Sequence, residues 1–142
     1  MAKNEVDQGN SKQNPITSAK SILIVDDNLE LLSVQKTLLE MEGHQIFTAQ
    51  NKKQALEIIP KIERDLSLIL LDMQLGQNTG DDVLSSIRQS FPDLMKQVPV
   101  VFLTGMDDVH IGDAQGIIYK GCHIDQYIKT INKFANPELS NQ

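Results

Sequence analysis

Apolar residues along this chain fall into short unbroken runs and spaced stripes, and the two patterns alternate. The runs are Ser21-Ile-Leu-Ile-Val25, Gln45-Ile-Phe-Thr-Ala49, Leu66-Ser-Leu-Ile-Leu-Leu71, Val98-Pro-Val-Val-Phe-Leu-Thr104 and Ile117-Ile-Tyr-Lys120. Runs this short, rich in Ile, Val and Leu and without helical spacing, read as strands buried on both faces. Between them, residues 29–42 carry Leu31, Val34, Leu38 and Met41 at helical spacing, with Asn28 or Asp27 as N-cap and Gly43 as stop. Residues 52–63 form a second helix with Ala55, Leu56, Ile59 and Ile62 inward, which Pro60 should kink or shorten. A glycine-bearing loop at 74–80 leads to a third helix with Val83, Leu84 and Ile87 as its stripe. A last helix over about 123–135 turns Ile124, Tyr127 or Ile128, Ile131 and Phe134 inward. Residues 105–115 hold two glycines and three aspartates and show no full amphipathic helix, so 106–115 are expected to form a loop with at most one short turn.

Strands alternating with helices of this length imply a parallel sheet covered on both faces. Right-handed crossovers then bring every strand's C-terminal end to one rim. The expected organisation is a disordered polar arm over 1–20, one domain over 21–136 and a fraying tail over 137–142.

Composition narrows the classes without naming one. The chain has 142 residues, enough for one domain with a proper core. A net charge of −6 argues against nucleic acid binding through a broad basic face but leaves room for an acidic cation site. Cys122 is the single cysteine, so no internal disulfide can form and a reducing compartment fits. There is no apolar signal core and no membrane-length apolar stretch, so the expectation is a cytoplasmic protein without a membrane partner.

The chemistry lies at the strand ends. Asp26 and Asp27 follow the first strand, Asp72 the third, Thr104 ends the fourth and Lys120 the fifth. One Asp after a strand is most often a turn residue or a helix cap. Five such groups on one rim, where open α/β sheets bind ligands, read as a site. Three carboxylates brought together raise one another's pKa unless a cation relieves them. All-oxygen ligation suits Mg²⁺, which shares its remaining positions with water and phosphate oxygens. The lysine and threonine can receive phosphoryl oxygens, and a carboxylate beside Mg²⁺ can attack phosphorus to give an aspartyl phosphate.

These motifs together resemble the receiver domain of two-component response regulators, over about residues 21–135. Ile-Leu-Ile-Val-Asp-Asp-Asn is similar to that family's first strand and acidic pair, and Leu-Ile-Leu-Leu-Asp-Met to its phosphoacceptor strand. Gly80 stands where the family keeps a glycine, and Val-Pro-Val-Val-Phe-Leu-Thr resembles its fourth strand and switch hydroxyl. The resemblance implies a flavodoxin-like (CheY-like), doubly wound, five-stranded parallel sheet. It implies that Asp72 accepts a phosphoryl group from a sensor histidine kinase or histidine phosphotransfer protein, with Thr104 and Lys120 holding phosphoryl oxygens. It implies Mg²⁺ held by Asp26, Asp27, Asp72 and the backbone carbonyl of Gln74. Such a protein signals by contact with a downstream protein, or carries or drains phosphate in a relay, with a homodimer as one possible form. The few residues after 135 lead to the expectation of a stand-alone receiver without a DNA-binding domain.

The chain departs from the family's pattern in four places. Gly121 follows Lys120 where proline in a cis bond is usual, so Lys120 should be aimed less rigidly. Gly105 follows Thr104 where a small residue, often alanine, is usual. Ile117 occupies the switch-aromatic position, and Tyr119 is either a substitute or an ordinary strand residue. Lys120 follows Thr104 by only 16 positions, roughly six fewer than usual or ~9 Å of helix. The fourth helix should therefore be shortened or absent.

Two alternatives follow. A pseudo-receiver would keep the fold and bind without being phosphorylated. A phosphatase of the haloacid dehalogenase type needs a second carboxylate two residues after its nucleophile, and Gln74 stands there. Cys122-His123 is too sparse for a metal site. His44 and His110 read as solvated turn or loop residues, and Asp107-Asp108 as a solvated loop.

Overall fold

Parallel strands covered on both faces must offer apolar side chains to two opposite layers, and the five apolar runs do so. In the computed structural model, which describes residues 20–105 and 114–137, the chain runs β1 (Ser21–Val25), α1 (Leu29–Met41), β2 (Gln45–Ala49), α2 (Lys52–Ile62), β3 (Leu66–Asp72), β4 (Gln74–Leu75), β5 (Asn78–Thr79), α3 (Gly80–Ser90), α4 (Pro92–Met95), β6 (Val100–Thr104), β7 (Gly116–Tyr119) and α5 (Ile124–Ala135). Five strands form one parallel sheet in the order β2-β1-β3-β6-β7. This is the parallel sheet, covered on both faces, that the alternating pattern predicts, and the doubly wound, CheY-like arrangement that the family resemblance implies.

Side chains alternate along each strand, so each strand feeds two cores. Leu23, Val25, Ile69, Leu71, Val100 and Phe102 pack with Ala55 and Ile59 of α2 and Val83 and Ile87 of α3. Ile22, Ile24, Leu68, Leu70, Val101 and Leu103 pack with Leu32 and Leu39 of α1 and Tyr127 and Ile131 of α5. The chain changes face beside β1, so the carboxyl ends of β1 and β3 border the crevice where open α/β sheets bind ligands.

Local signals set several boundaries, those of α1 as read. Asn28 caps α1, its Oδ1 accepting the Leu31 N–H at 3.0 Å, and Gly43, at φ +93°, ends that helix in the left-handed region. Pro60 sits on the exposed side of α2, which stops two residues later. A capping box starts α3: Thr79 Oγ1 accepts the Asp82 N–H and Asp82 Oδ2 accepts the Thr79 N–H, both at 3.1 Å.

Other expectations change. The inward face of α1 is Leu32, Gln35 and Leu39, not the stripe of Leu31, Val34, Leu38 and Met41; Val34 and Met41 are 54% and 78% exposed. A wholly apolar stripe outscores one containing glutamine, but Gln35 is buried because its Oε1 accepts the Tyr127 hydroxyl hydrogen at 2.7 Å. Ile124, read as inward, is exposed at the first turn of α5. His44 is buried, not solvated, with Nε2 2.6 Å from Asn132 Oδ1 on α5. The fourth and fifth strands of the sheet are Val100–Thr104 and Gly116–Tyr119, each shifted from its apolar run. The short hairpin β4-β5 and the helical turn α4 were not expected. Of the segment read as a lost fourth helix, Ala114 and Gln115 are not helical. The rest of that segment, with Asp107, Asp108 and His110, lies outside the described residues, as do the arm to residue 19 and the tail from 138.

Gly80 opens α3 against the backbone that leaves β3. A Cβ there would lie 3.0 Å from the Asp72 carbonyl oxygen and 3.2 Å from both Met73 Cα and Met73 Sδ. Helix propensity alone favours alanine over glycine by about 1 kcal/mol. Two of these neighbours are backbone atoms at the end of a central strand and have little room to yield. Gly80→Ala is therefore expected to destabilise by about 1–3 kcal/mol, seen as a lower urea midpoint at unchanged slope.

Candidate functional site

Strand pairing places the rim residues. The Asp26 N–H donates to the Ala49 carbonyl at 3.0 Å, that of Met73 to Leu103 at 3.0 Å, and that of Lys120 to Thr104 at 2.6 Å. Each chemical group thus stands just where the next strand stops supporting the chain. Asp26, Asp27 and Asp72 converge, with one carboxylate oxygen from each within 4.8 Å of the others. Asp26 and Asp72 are buried, at 0% and 4% exposure, while Asp27 faces solvent. Thr104, 1% exposed, ends β6 beside them.

Backbone donors orient the two buried carboxylates in the same way. The N–H of Asn28 donates to Asp26 Oδ1 and that of Gln74 to Asp72 Oδ1, both at 2.9 Å. In each case a strand-end aspartate accepts from the residue two positions on, the local turn that Asp favours. The Lys120 ammonium donates to Asp72 Oδ2 at 3.0 Å. The Lys120–Gly121 bond is trans, and Gly121 has φ +87° with open space around its Cα. A positive φ suits glycine, so this residue makes the turn after β7. Gly76, at φ +64°, brings the β4-β5 turn close to Asp27: a Cβ there would lie 3.7 Å from Asp27 Oδ2.

The electrostatics are those of an incomplete cation site. Burial pushes the Asp26 carboxyl up from 3.8 to about 6; the Asn28 N–H lowers it, the neighbouring Asp72 raises it, and the Lys120 charge lowers it. Asp26 Oδ2 is buried and has no hydrogen-bond partner among the described residues. Buried polar atoms are nearly always satisfied, and hard carboxylate oxygens are the donors that Mg²⁺ takes. The residues present therefore fit a divalent ion. Asp26, Asp27 and Asp72 are brought together as the sequence suggested, and Lys120 joins them. Of Gln74, the backbone N–H contacts Asp72. The backbone N–H donors of Asn28 and Gln74 were not foreseen, although an Asp entering a turn is their sequence signal.

Ile117 packs into the core cluster on the α2-α3 side of the sheet. Tyr119 lines a cavity with residues of α1 and α5 and is 45% exposed. It does not take the place of an aromatic at position 117.

Comparison with known proteins agrees with this architecture. The family model described as the response regulator receiver domain matches residues 22–132. The transcriptional regulatory protein CpxR of Escherichia coli is 40% identical over 83 residues, which are 58% of this chain and 32% of that protein. The response regulator SaeR of Staphylococcus epidermidis is 27% identical over 89 residues, 63% of this chain and 36% of the relative. The chain thus spans about a third of the length of these curated relatives. Among solved structures, response regulator TrrA of Thermotoga maritima in complex with Mg²⁺-BeF gives a TM-score of 0.68 at 26% identity, covering 81% of this chain and 98% of that one. Chemotaxis protein CheY4 of Vibrio cholerae gives 0.73 at 20% identity, covering 82% and 98%, a likeness of fold. The chain belongs to the response regulator receiver domain family, and its class is a signalling domain of two-component systems. No helix among the described residues is long and apolar enough to cross a membrane.

The raised Asp26 pKa sets a sign. Between about 4 and 6 the folded chain holds a proton that the unfolded chain has lost, so stability from this group falls as pH rises through that window. Asp26→Asn removes this dependence. The stability of the variant relative to wild type is expected to grow by about 2–3 kcal/mol between pH 3.5 and pH 7.5 without metal, read by urea unfolding. Added Mg²⁺ should raise the wild-type melting temperature more at pH 7.5 than at pH 5, because the proton competes for the same oxygens.

Proposed function

We propose that this receiver accepts a phosphoryl group on Asp72 from a phosphohistidine of a sensor kinase or phosphotransfer protein. The observation that carries this reading is the convergence of Asp26, Asp27 and Asp72, with the Lys120 ammonium already on Asp72. An Asp72 oxygen attacks phosphorus, the P–N bond of the donor breaks, and the imidazole leaves with the electron pair and takes up a proton. The product is an aspartyl phosphate. Asp26, Asp27, Asp72 and the Gln74 carbonyl would hold Mg²⁺, which supplies charge neutralisation for the transferring group. Lys120 and Thr104 receive phosphoryl oxygens. Positioning and charge compensation provide most of the rate in such transfers. Loss of the phosphate to water uses the same pocket, so the activity is autocatalytic acceptance and release on the chain's own aspartate.

Output is by protein contact or by passing the phosphate on, in the cytoplasm. The net charge of −6 supports protein partners over nucleic acid. The full two-core fold and the buried acidic pair support the phosphorylated reading over a binding-only pseudo-receiver. A binding-only module has no use for carboxylates whose burial is costly.

A small-molecule phosphodonor with Mg²⁺ is expected to add one phosphoryl mass to the wild type and none to Asp72→Asn. Chelation of the metal should suppress labelling by at least about 100-fold, the range in which removal of a charge-stabilising group acts. Equal labelling of the two proteins would overturn the assignment of Asp72.

A further inference from the structure

Of the three converging carboxylates, Asp27 is the solvent-facing one, and the β4-β5 hairpin borders it. Gly76 and Gln77 form the two-residue turn of that hairpin, in which Gln74 pairs with Thr79 and Leu75 with Asn78. A glycine with positive φ at the first turn position suits such a hairpin, and Gly76 has φ +64°. The hairpin is held from several sides. Leu75 is 3% exposed and packs in the α2-α3 core. Thr79 is tied to Asp82 by the capping box, and the Gly80 N–H donates to the Met73 carbonyl at 3.0 Å. The turn cannot leave Asp27 without breaking these contacts. Space and strain separate at Gly76. A Cβ there would lie 3.7 Å from Asp27 Oδ2, an ordinary contact, with no other described atom beyond its chain neighbours within 4 Å. A side chain therefore fits, and its cost is the left-handed backbone, which Asn and Asp tolerate better than other L residues.

We propose that Gly76 sets the cation preference of the acidic pocket, by keeping a further side-chain ligand away from the exposed side of Asp27. This rests on the reading of Asp26, Asp27 and Asp72 as a Mg²⁺ site and adds the position that limits its ligand number. Mg²⁺ binds through few carboxylates and keeps several waters, whereas Ca²⁺ takes about six to eight oxygens in a looser shell. With glycine at 76, the space beside Asp27 Oδ2 stays with water and phosphoryl oxygens, the arrangement that the smaller ion needs. A carboxylate at 76 would start beside an Asp27 oxygen and add ligand oxygens from the solvent side, where the larger ion can use them. An amide there has the same size and the same backbone demand but adds no charge. The two substitutions thus share their effect on the turn and differ in their effect on a cation.

Calorimetric titration of the full chain with Mg²⁺ and with Ca²⁺, without a phosphodonor, tests this. Gly76→Asp is expected to raise the Ca²⁺ affinity by at least about tenfold, and the ratio of Ca²⁺ to Mg²⁺ affinity by at least about fivefold. Gly76→Glu, with a carboxylate on the same Cβ, should act in the same direction. Gly76→Asn should leave both affinities within about threefold of wild type. Gly43→Asp places the same charge at a glycine with φ +93° and open space around it, beyond α1 and before the start of β2. It should leave the ratio unchanged. Urea unfolding should give Gly76→Asp and Gly76→Asn similar midpoints, since the backbone cost is shared. A ratio that neither carboxylate variant changes, or that Gly76→Asn or Gly43→Asp changes as much, makes Gly76 a turn residue only and overturns the proposal. If the wild type binds neither cation, the Mg²⁺ reading of the pocket falls and this inference falls with it. Wild-type binding with an unchanged ratio in the variants overturns this inference alone.

Discussion

Two carboxylates, Asp26 and Asp72, are buried side by side at the end of the two central strands, and one is forced towards its neutral form. Such a pair repels itself and loses its hydration. It stays in place because the sheet leaves it no alternative. The residues around each aspartate are tied to a neighbouring strand, and each carboxylate takes one backbone N–H from the residue two positions on. What the backbone does not supply, Lys120 supplies in part from across the sheet. The remaining buried oxygen, Asp26 Oδ2, is the deficit that a divalent ion would meet. In this sense the acid pocket is a strained charge distribution supported by a rigid scaffold, and binding of a cation or phosphoryl group can relieve it.

The scaffold's rigidity comes from its two cores. Each central strand gives alternate residues to α2-α3 on one side and α1-α5 on the other. The two sides differ in how completely they close. The α2 and α3 stripes pack on the sheet, whereas α1 buries Leu32, Gln35 and Leu39, with Leu31 partly buried beside them, and leaves Val34 and Met41 exposed. Leu31, Val34 and Leu38, with the turn after β7, border an apolar cavity beside Lys120. Glycine at position 121 belongs to the same turn, at a positive φ that suits glycine. The family's usual aromatic is absent from β7, and the side that carries Lys120 is the side that remains open.

Much of the fold was legible because its signals are local. Apolar runs name strands, and caps such as Asn28 and Gly43 bound a helix within a turn of chain. The acidic cluster was legible for a related reason: once the strands are parallel, right-handed crossovers bring their ends together. The face of α1 was not legible. Spacing favoured Leu31, Val34, Leu38 and Met41, because Gln35 counts against the other stripe. Its burial depends on a hydroxyl 92 positions away. His44 was misjudged for the same reason, since its partner Asn132 lies 88 positions on.

The sequence by itself determined the order of the five sheet strands and the four longer helices, the parallel sheet and the identity of the groups at its rim. Each of these follows from patterns a few residues long or from the handedness of connections. Only the tertiary structure decided which stripe of α1 is inward, how Lys120 closes on Asp72 and where a cavity remains beside it. Those outcomes depend on hydrogen bonds and packing between residues far apart in the chain. Local periodicity carries no information about a partner that only folding brings near.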